Sequence, residues 1–240
     1  LAPWLKAAGY TTSHVGKYMN NYNKAKAKQI PKGWDNWFTV LDEATESYPY
    51  YDFTVSDNGT SRTYGEKDED YLTDVFTEQA VSSLKDMSAT GKPFFLDYWP
   101  TAPHSGRGRT DSKKLGPVAA PKYENANEGV QAPRPPNFLP EKNEIQKDLK
   151  DMVGVQRMAT GAKEGYAQLI DESYRDYVNS LLSIDDAVER FVNELEASGQ
   201  LQNTIIVFMS DNGLAWGNHG MVNMKWEPYE ESIRVPLIIS

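Results

Sequence analysis

The run Thr204–Ser210, seven mostly apolar residues rich in β-branched types, leads directly into Asp211-Asn212-Gly213. A carboxylate beside an amide oxygen supplies two hard oxygen ligands, which suits Ca2+ or Mg2+, and the glycine lets the backbone turn behind them. An Asx turn capping a strand uses the same residue types. The tripeptide recurs at Asp57-Asn58-Gly59, between two runs of β-formers, where it reads as a hairpin turn. On the tripeptide alone, a turn is the better reading. Two further polar clusters follow strand-like segments: "GKYMN" (16–20), with Lys17, and "PTAPH" (100–104), with His104. Ligands of open α/β sheets sit beyond the carboxyl ends of the strands, which is where all three clusters fall. Taken one at a time, these side chains read as a solvated lysine and a loop histidine.

The elements that must position them follow from periodicity and punctuation. "LAPWLKAAGYTT" reads as a short amphipathic helix closed by Gly9. "IPKGWDNWFTVLD" reads as a turn and a strand, and 50–65 as a hairpin. "DEDYLTDVFTEQAVSSLKDM" reads as a helix with the apolar stripe Leu72, Val75, Phe76, Ala80, Val81 and Leu84. "PFFLDYWP" reads as a buried strand. A long helix then carries Tyr177, Leu181, Ile184, Val188, Phe191 and Leu195 at helical spacing and stops at Gly199. Two strands follow, Thr204–Met209, read as buried on both faces, and Val235–Ile239. Continuous rather than alternating apolar strands interleaved with helices predict an α/β domain with a largely parallel sheet sandwiched by helices. Residues 101–161 hold most of the prolines and read as one long surface loop, a segment type that is often functional.

The bulk composition excludes several classes. The net charge is −9, which argues against a nucleic-acid-binding surface. With 39% hydrophobic residues, 14 Tyr and 6 Trp, the chain is globular rather than disordered. No apolar run approaches the roughly 20 residues that a membrane-spanning helix needs. The absence of cysteine removes disulfides, thiolate metal sites and a cysteine nucleophile from these 240 residues. The chain begins at Leu1, without an initiator Met or signal peptide, and stops on "RVPLIIS", which reads as a strand entering a core. The expectation is an internal part of a longer protein: 1–240 as one portion of a single catalytic domain, truncated at both ends.

Several segments together carry a family resemblance. "AGYTTSHVGKY", "PKGWDNW", "PFFLDYWPTAPH", "LLSIDDAVERFVNELEASGQLQNTIIVFMSDNG" and "K…YEESIRVPLII" occur in order over nearly the whole chain. The set resembles the sulfatase family of the alkaline-phosphatase-like superfamily. "GKYMNNY", the tyrosine-rich stretch 50–75 and "APKYEN…APRPPNF" look most like the N-acetylglucosamine-6-sulfatase branch. The resemblance implies an alkaline-phosphatase-like fold and hydrolysis of a sulfate ester on a sugar such as 6-sulfated N-acetylglucosamine in a glycosaminoglycan. It implies Asp211 and Asn212 as ligands of one divalent cation, Ca2+ or Mg2+. It implies Lys17 as the lysine contacting nucleophile and sulfate, His104 as the histidine near the leaving oxygen, and Lys225 as the lysine that binds sulfate and assists the leaving group. His219 matches a pocket-edge histidine that contacts substrate in many relatives but is often missing from the glucosamine branch. These roles suit the chemistry: two lysines and a dication can neutralise a sulfate ester and the charge developing on it, and histidine can donate a proton near neutral pH. Asp185 and Asp186 read as polar residues of the helix face, and Trp34 and Trp37 as packing.

The sequence also departs from the family pattern. Many sulfatases carry a histidine two residues after the lysine of "GK"; here Met19 and Asn20 follow, and Asn20 is the candidate for that role. The formylglycine nucleophile and a further pair of acidic metal ligands are expected upstream of Leu1, so the fragment by itself is expected to be inactive. The partners this implies are a sulfated carbohydrate and, for the parent, a formylglycine-generating enzyme, with a secreted, periplasmic or lysosomal location. Two rivals remain: a phosphodiesterase or phosphonate hydrolase of the same superfamily, and a non-catalytic glycan-binding relative.

Overall fold

A computed structural model describes residues 1–42, 48–108, 116–139 and 165–240. They fall into two compact units, Leu1–Ala126 with Asp176–Thr204, and Asn127–Arg175 with Ile205–Ser240.

The first unit is built on a five-stranded sheet. Its strands are β1 (Thr11–Gly16), β2 (Asn36–Val40), β4 (Phe53–Asp57), β5 (Thr60–Tyr64) and β6 (Phe94–Trp99). The order is β5-β4-β2-β1-β6. β1 runs parallel to β2 and to β6, with His14 opposite Trp37 on one side and Asp97 on the other. β4 and β5 add an antiparallel hairpin to the β2 edge. The sheet is therefore mixed, with a parallel centre as the long apolar strands predict. A two-residue strand, β3 (Tyr48–Pro49), pairs in parallel with β7 (Gly106–Arg107) apart from the main sheet.

Two helices flank these strands in sequence. α1 (Ala2–Ala7) ends where predicted: Gly9 takes φ 89°, its N–H bonds to the Lys6 carbonyl and that of Tyr10 to Leu5, closing the last turn. α2 (Leu72–Ala89) buries Leu72, Val75, Phe76, Ala80 and Leu84 and leaves Val81 half-buried. Four of these residues pack on Val15, Phe38, Val40, Phe53 and Val55 of the sheet, with Phe38 edge-to-face on Phe76 at 6.2 Å. Burying each large side chain contributes on the order of 1.5–3 kcal/mol. Phe191, from the long helix α3 (Tyr166–Ala197), packs against the same cluster.

The second unit holds β8 (Val207–Met209) paired antiparallel with β11 (Leu237–Ile239), the hairpin β9 (Ala215–Trp216) and β10 (Val222–Met224), and a single-turn helix α4 (Glu230–Ile233). Segment 132–139 belongs here as well. Asp171 accepts from the Ala132 N–H at 2.9 Å and from Arg134 at 2.5 Å, and the Arg134 guanidinium lies over the Phe138 ring at 4.2 Å.

Three sequence expectations need correction. The strand expected over Thr204–Met209 is three residues long and exposed, with Val207 at 54% and Met209 at 61%, and among the described residues it pairs with β11 alone. β6 is half-buried rather than buried, and its outer edge carries no further strand among the described residues. On α3, Leu181 is exposed, and small residues (Ser180, Ser183, Ala187) share the buried line with Ile184 and Leu195. Helical spacing locates a face, but the neighbours decide which part of it is covered. Of the proline-rich span, 101–108 and 116–139 are described; the rest, 109–115 and 140–161, lies outside the described residues.

Candidate active site

In the first unit the chemistry collects at the carboxyl ends of β1 and β6. Gly16 has φ 137°, and a Cβ there would collide with the Trp99 carbonyl. The Lys17 N–H donates to that carbonyl at 2.7 Å, which ties the start of the loop to the end of β6. This close approach is the physical reason for glycine before the lysine. The Lys17 ammonium donates to Asn20 Oδ1 at 2.7 Å and to the Tyr18 carbonyl at 3.2 Å. Asn20 Oδ1 accepts a second hydrogen bond from the Tyr48 hydroxyl at 3.0 Å. The ammonium also lies 4.9 Å from the Tyr48 ring centroid.

His104 reaches the same ring from β6. Its N–H donates to the Thr101 carbonyl at 2.8 Å, and its own carbonyl accepts from the Tyr50 hydroxyl at 2.8 Å. A cis Ala102–Pro103 bond lies in this turn. The imidazole meets Tyr48 at right angles, with centroids 4.7 Å apart. Its Nδ1 is 2.8 Å from the Ser105 carbonyl, which can only accept, so Nδ1 carries the proton. Burial, with the charge of Asp42 adding to it, pushes the Tyr48 phenol above its usual range and keeps the hydroxyl a donor. The structure thus gathers Lys17, Asn20 and His104 around Tyr48. Sequence reasoning missed this residue; its only signal is membership of the tyrosine-rich run "YPYY".

The second unit arranges the other candidates around α4. Asp211 is exposed, and no hydrogen bond or ion pair to a described residue engages it. Asn212 donates its amide N–H to the Gly213 carbonyl at 2.8 Å, which leaves Oδ1 as an acceptor. Gly213 donates its N–H to the Ser232 carbonyl at 2.9 Å, and a Cβ on it would clash with the Glu231 carbonyl. A free carboxylate and a free amide oxygen on adjacent residues fit a hard divalent cation. Among the described residues no group of three or more His, Asp or Glu side chains is placed to hold a metal.

His219 sits in the β9–β10 turn with φ 54°. Its ring stacks on Tyr229 at 4.2 Å, and its Nε2 is 2.9 Å from the Asn137 amide nitrogen and 3.8 Å from Glu231. Glu231 also accepts from Asn218 at 3.1 Å. The turn is held against the proline-rich segment by backbone bonds from His219 to Asn137 and from Leu139 to Gly217. Lys225 follows β10, half-buried, and no described side chain or carbonyl takes a hydrogen bond from its ammonium. Lys17, Asn20 and His104 therefore belong to one compact unit, and Asp211, Asn212, His219 and Lys225 to the other.

The remaining polar and aromatic residues settle into structural roles. Trp37 is fully buried, and its indole N–H donates to the Tyr22 hydroxyl at 3.1 Å. Asp186 accepts from Lys122 at 2.5 Å and from Tyr123 at 2.7 Å, which ties α3 to the segment after β7, while Asp185 is exposed. His14, unremarked in the sequence, is buried, stacked on Trp37 at 4.4 Å and bonded to Asp97 at 2.6 Å.

Comparison with known proteins adds the family. The sulfatase family model matches residues 1–240. The chain belongs to the sulfatase family. Among its sulfatase relatives is the N-acetylglucosamine-6-sulfatase of Capra hircus, 35% identical over 235 residues, which covers 96% of this chain and 38% of the goat protein. The chain thus spans well under half of that relative's length. Two solved structures share the fold. One, a complex with its substrate D-glucosamine-2-N,6-O-disulfate, is 24% identical with a TM-score of 0.70 over 99% of this chain and 54% of that one. The other, a phosphonate monoester hydrolase from Silicibacter pomeroyi, is 19% identical with a TM-score of 0.62 over 100% of this chain and 52% of that one. The fold is therefore alkaline-phosphatase-like, and the sequence is similar to N-acetylglucosamine-6-sulfatases.

Proposed function

We propose that the chain is part of the catalytic domain of a sulfuric ester hydrolase that acts on sulfated sugars, with 6-sulfated N-acetylglucosamine of a glycosaminoglycan as the substrate class. The carrying observation is the convergence of Lys17, Asn20 and His104 at the carboxyl ends of two parallel strands, in a chain that belongs to the sulfatase family. The similarity to N-acetylglucosamine-6-sulfatases supports the choice of sugar.

The residues present account for much of the chemistry. A sulfate ester is a permanent anion, and the Lys17 and Lys225 ammoniums supply positive charge to bind it and to offset the charge that builds up as the S–O bond breaks. His104, its Nδ1–H held by the Ser105 carbonyl, is assigned the proton transfer to the departing sugar oxygen. Asp211 and Asn212 are the oxygen donors in this chain for one Ca2+ or Mg2+, completed by ligands from elsewhere. A formylglycine, contributed by the parent protein upstream, supplies the nucleophile when present. His219, its ring stacked on Tyr229 and within hydrogen-bond distance of Asn137, is assigned by the family resemblance as a substrate contact. The parent works outside the cytoplasm, in secreted, periplasmic or lysosomal form, after action of a formylglycine-generating enzyme. No described helix is long and apolar enough to cross a membrane.

The test uses the full-length parent, co-expressed with a formylglycine-generating enzyme. Sulfate release from 4-nitrocatechol sulfate and from N-acetylglucosamine-6-sulfate is expected, with loss in Lys225→Ala and Asp211→Ala. Cleavage of phosphonate monoesters or phosphodiesters in place of sulfate esters overturns the reading, as does binding of sulfated glycans without turnover.

A further inference from the structure

Tyr48 connects three candidate site residues that sequence reasoning treated separately. The carbonyl oxygen of Asn20 has two lone pairs, and both are in use: the Lys17 ammonium at 2.7 Å and the Tyr48 hydroxyl at 3.0 Å. Flipping the amide would place its NH2 group against the Lys17 ammonium, which can only donate, and lose that hydrogen bond. The NH2 group is therefore held on the opposite, exposed side. The same phenol ring has the Lys17 ammonium 4.9 Å from its centroid and the His104 ring at right angles to it with centroids 4.7 Å apart, so one side chain spaces a cation and an imidazole. We propose that Tyr48 is a positioning residue for an anion pocket in which the Asn20 NH2 group and the Lys17 ammonium together donate to the oxygens of one sulfate ester. This rests on the sulfatase reading for the identity of the anion. It assigns Asn20 a donor role that the hydroxyl of Tyr48 enforces, and it makes Tyr48 a determinant of substrate affinity.

The experiment compares Tyr48→Phe, Tyr48→Leu and Asn20→Asp with wild type in the full-length protein. It measures kcat and KM on N-acetylglucosamine-6-sulfate, calorimetric affinity for inorganic sulfate, and thermal midpoint. Tyr48→Phe keeps the ring and loses one hydrogen bond, so KM rises about fivefold with kcat within about twofold of wild type. Tyr48→Leu also releases His104 and lowers kcat. Asn20→Asp still accepts from Lys17 and Tyr48 but turns a carboxylate oxygen toward the anion, and sulfate affinity falls by at least tenfold. A merely structural Tyr48 would lower the thermal midpoint and leave KM and sulfate affinity unchanged, and that result overturns the proposal. Wild type that turns over no sulfate ester yet binds sulfate, with the variants weaker in the same order, upholds the pocket and removes the sulfatase reading. Wild type that binds no sulfate overturns the pocket.

Discussion

At Asp57-Asn58-Gly59 the chain reverses inside a hairpin, with Asn58 at φ 49° and Gly59 at φ 85°. At Asp211-Asn212-Gly213 the same three residues leave a strand end, and none of them has a positive φ. The two glycines answer different constraints. Around Gly59 there is room, the nearest atom to a Cβ being 3.7 Å away, so it is the left-handed backbone that requires glycine. Around Gly213 the backbone is ordinary and the space is missing, because the Glu231 carbonyl occupies the place of a Cβ. The polar side chains differ in the same way. Asn58 Oδ1 accepts from the Trp37 N–H at 2.9 Å, and Asp57 accepts from the Asn58 amide at 3.3 Å, so the first tripeptide spends its oxygens on the protein. Asp211 and the Oδ1 of Asn212 accept no such bond from a described residue. A motif of this length says which atoms are present, and the surroundings say whether they are already engaged.

The largest test of that contrast is Gly213→Val against Gly59→Val. The first must push the strand-end loop off α4, which costs about 1–3 kcal/mol as overpacking and moves Asp211 and Asn212. Sulfate release by the parent is expected to fall more than about 100-fold, a 1 Å misplacement sufficing for that. Gly59→Val is expected to destabilise through its left-handed backbone, by roughly 1–2 kcal/mol, and to leave kcat/KM of the remaining folded enzyme intact. Equal catalytic losses in the two variants would end the distinction.

Next in size is Asp211→Ala against Asp57→Ala. Asp211 is exposed and without a partner among the described residues, so its removal is expected to change stability by no more than about 0.5 kcal/mol while activity is lost. Chelation of wild type is expected to produce the same loss, reversed by Ca2+ or Mg2+. Asp57→Ala should leave activity and metal response unchanged. Calcium affinity that survives Asp211→Ala would remove the metal assignment.

Asn58→Ala sharpens the structural side. It takes away the acceptor for the Trp37 N–H and puts alanine at a positive φ, so a melting experiment should show a loss of about 1–2 kcal/mol. The matching Asn212→Ala is expected to melt within about 0.5 kcal/mol of wild type and to fail in turnover. The smallest effect is on Asp186, whose carboxyl is held below its usual range: its burial works against this, and the hydrogen bonds and charge of Lys122 with the Tyr123 hydroxyl outweigh it. A lowered folded pKa gives stability that is present above the unfolded value and lost as pH falls through the folded one. Asp186→Asn should therefore narrow the stability difference between pH 7 and pH 3 by a few tenths of a kcal/mol, the size of a largely exposed pair.

Much of the fold was legible. The stripe of α2, the Gly9 terminus of α1 and the 57–59 hairpin are local features, each set by side chains within a turn or two of one another. The exposure of β8 was not legible, since an apolar run does not say how many ladder partners it will have. Of the candidate site, Lys17 and His104 were candidates because each follows a strand and matches the family's motif order, whereas Tyr48 has neither signal. Its partners, Asn20 and His104, are remote in sequence, and the parallel β3–β7 pairing that carries it is two residues long.

What this sequence determined by itself is the inventory and its family: which carboxylates, amides, lysines and histidines exist, which follow strands, and an ordered set of segments matching the sulfatases along the whole chain. Periodicity, turn chemistry and motif order are all carried by neighbours along the chain. The tertiary structure decided which Asp-Asn-Gly keeps its oxygens unspent, which glycine is needed for space, and that a tyrosine without a motif holds Lys17, Asn20 and His104 together. These depend on atoms brought within a few ångströms from distant parts of the chain, where hydrogen bonding and close packing act over shorter distances than any sequence pattern records.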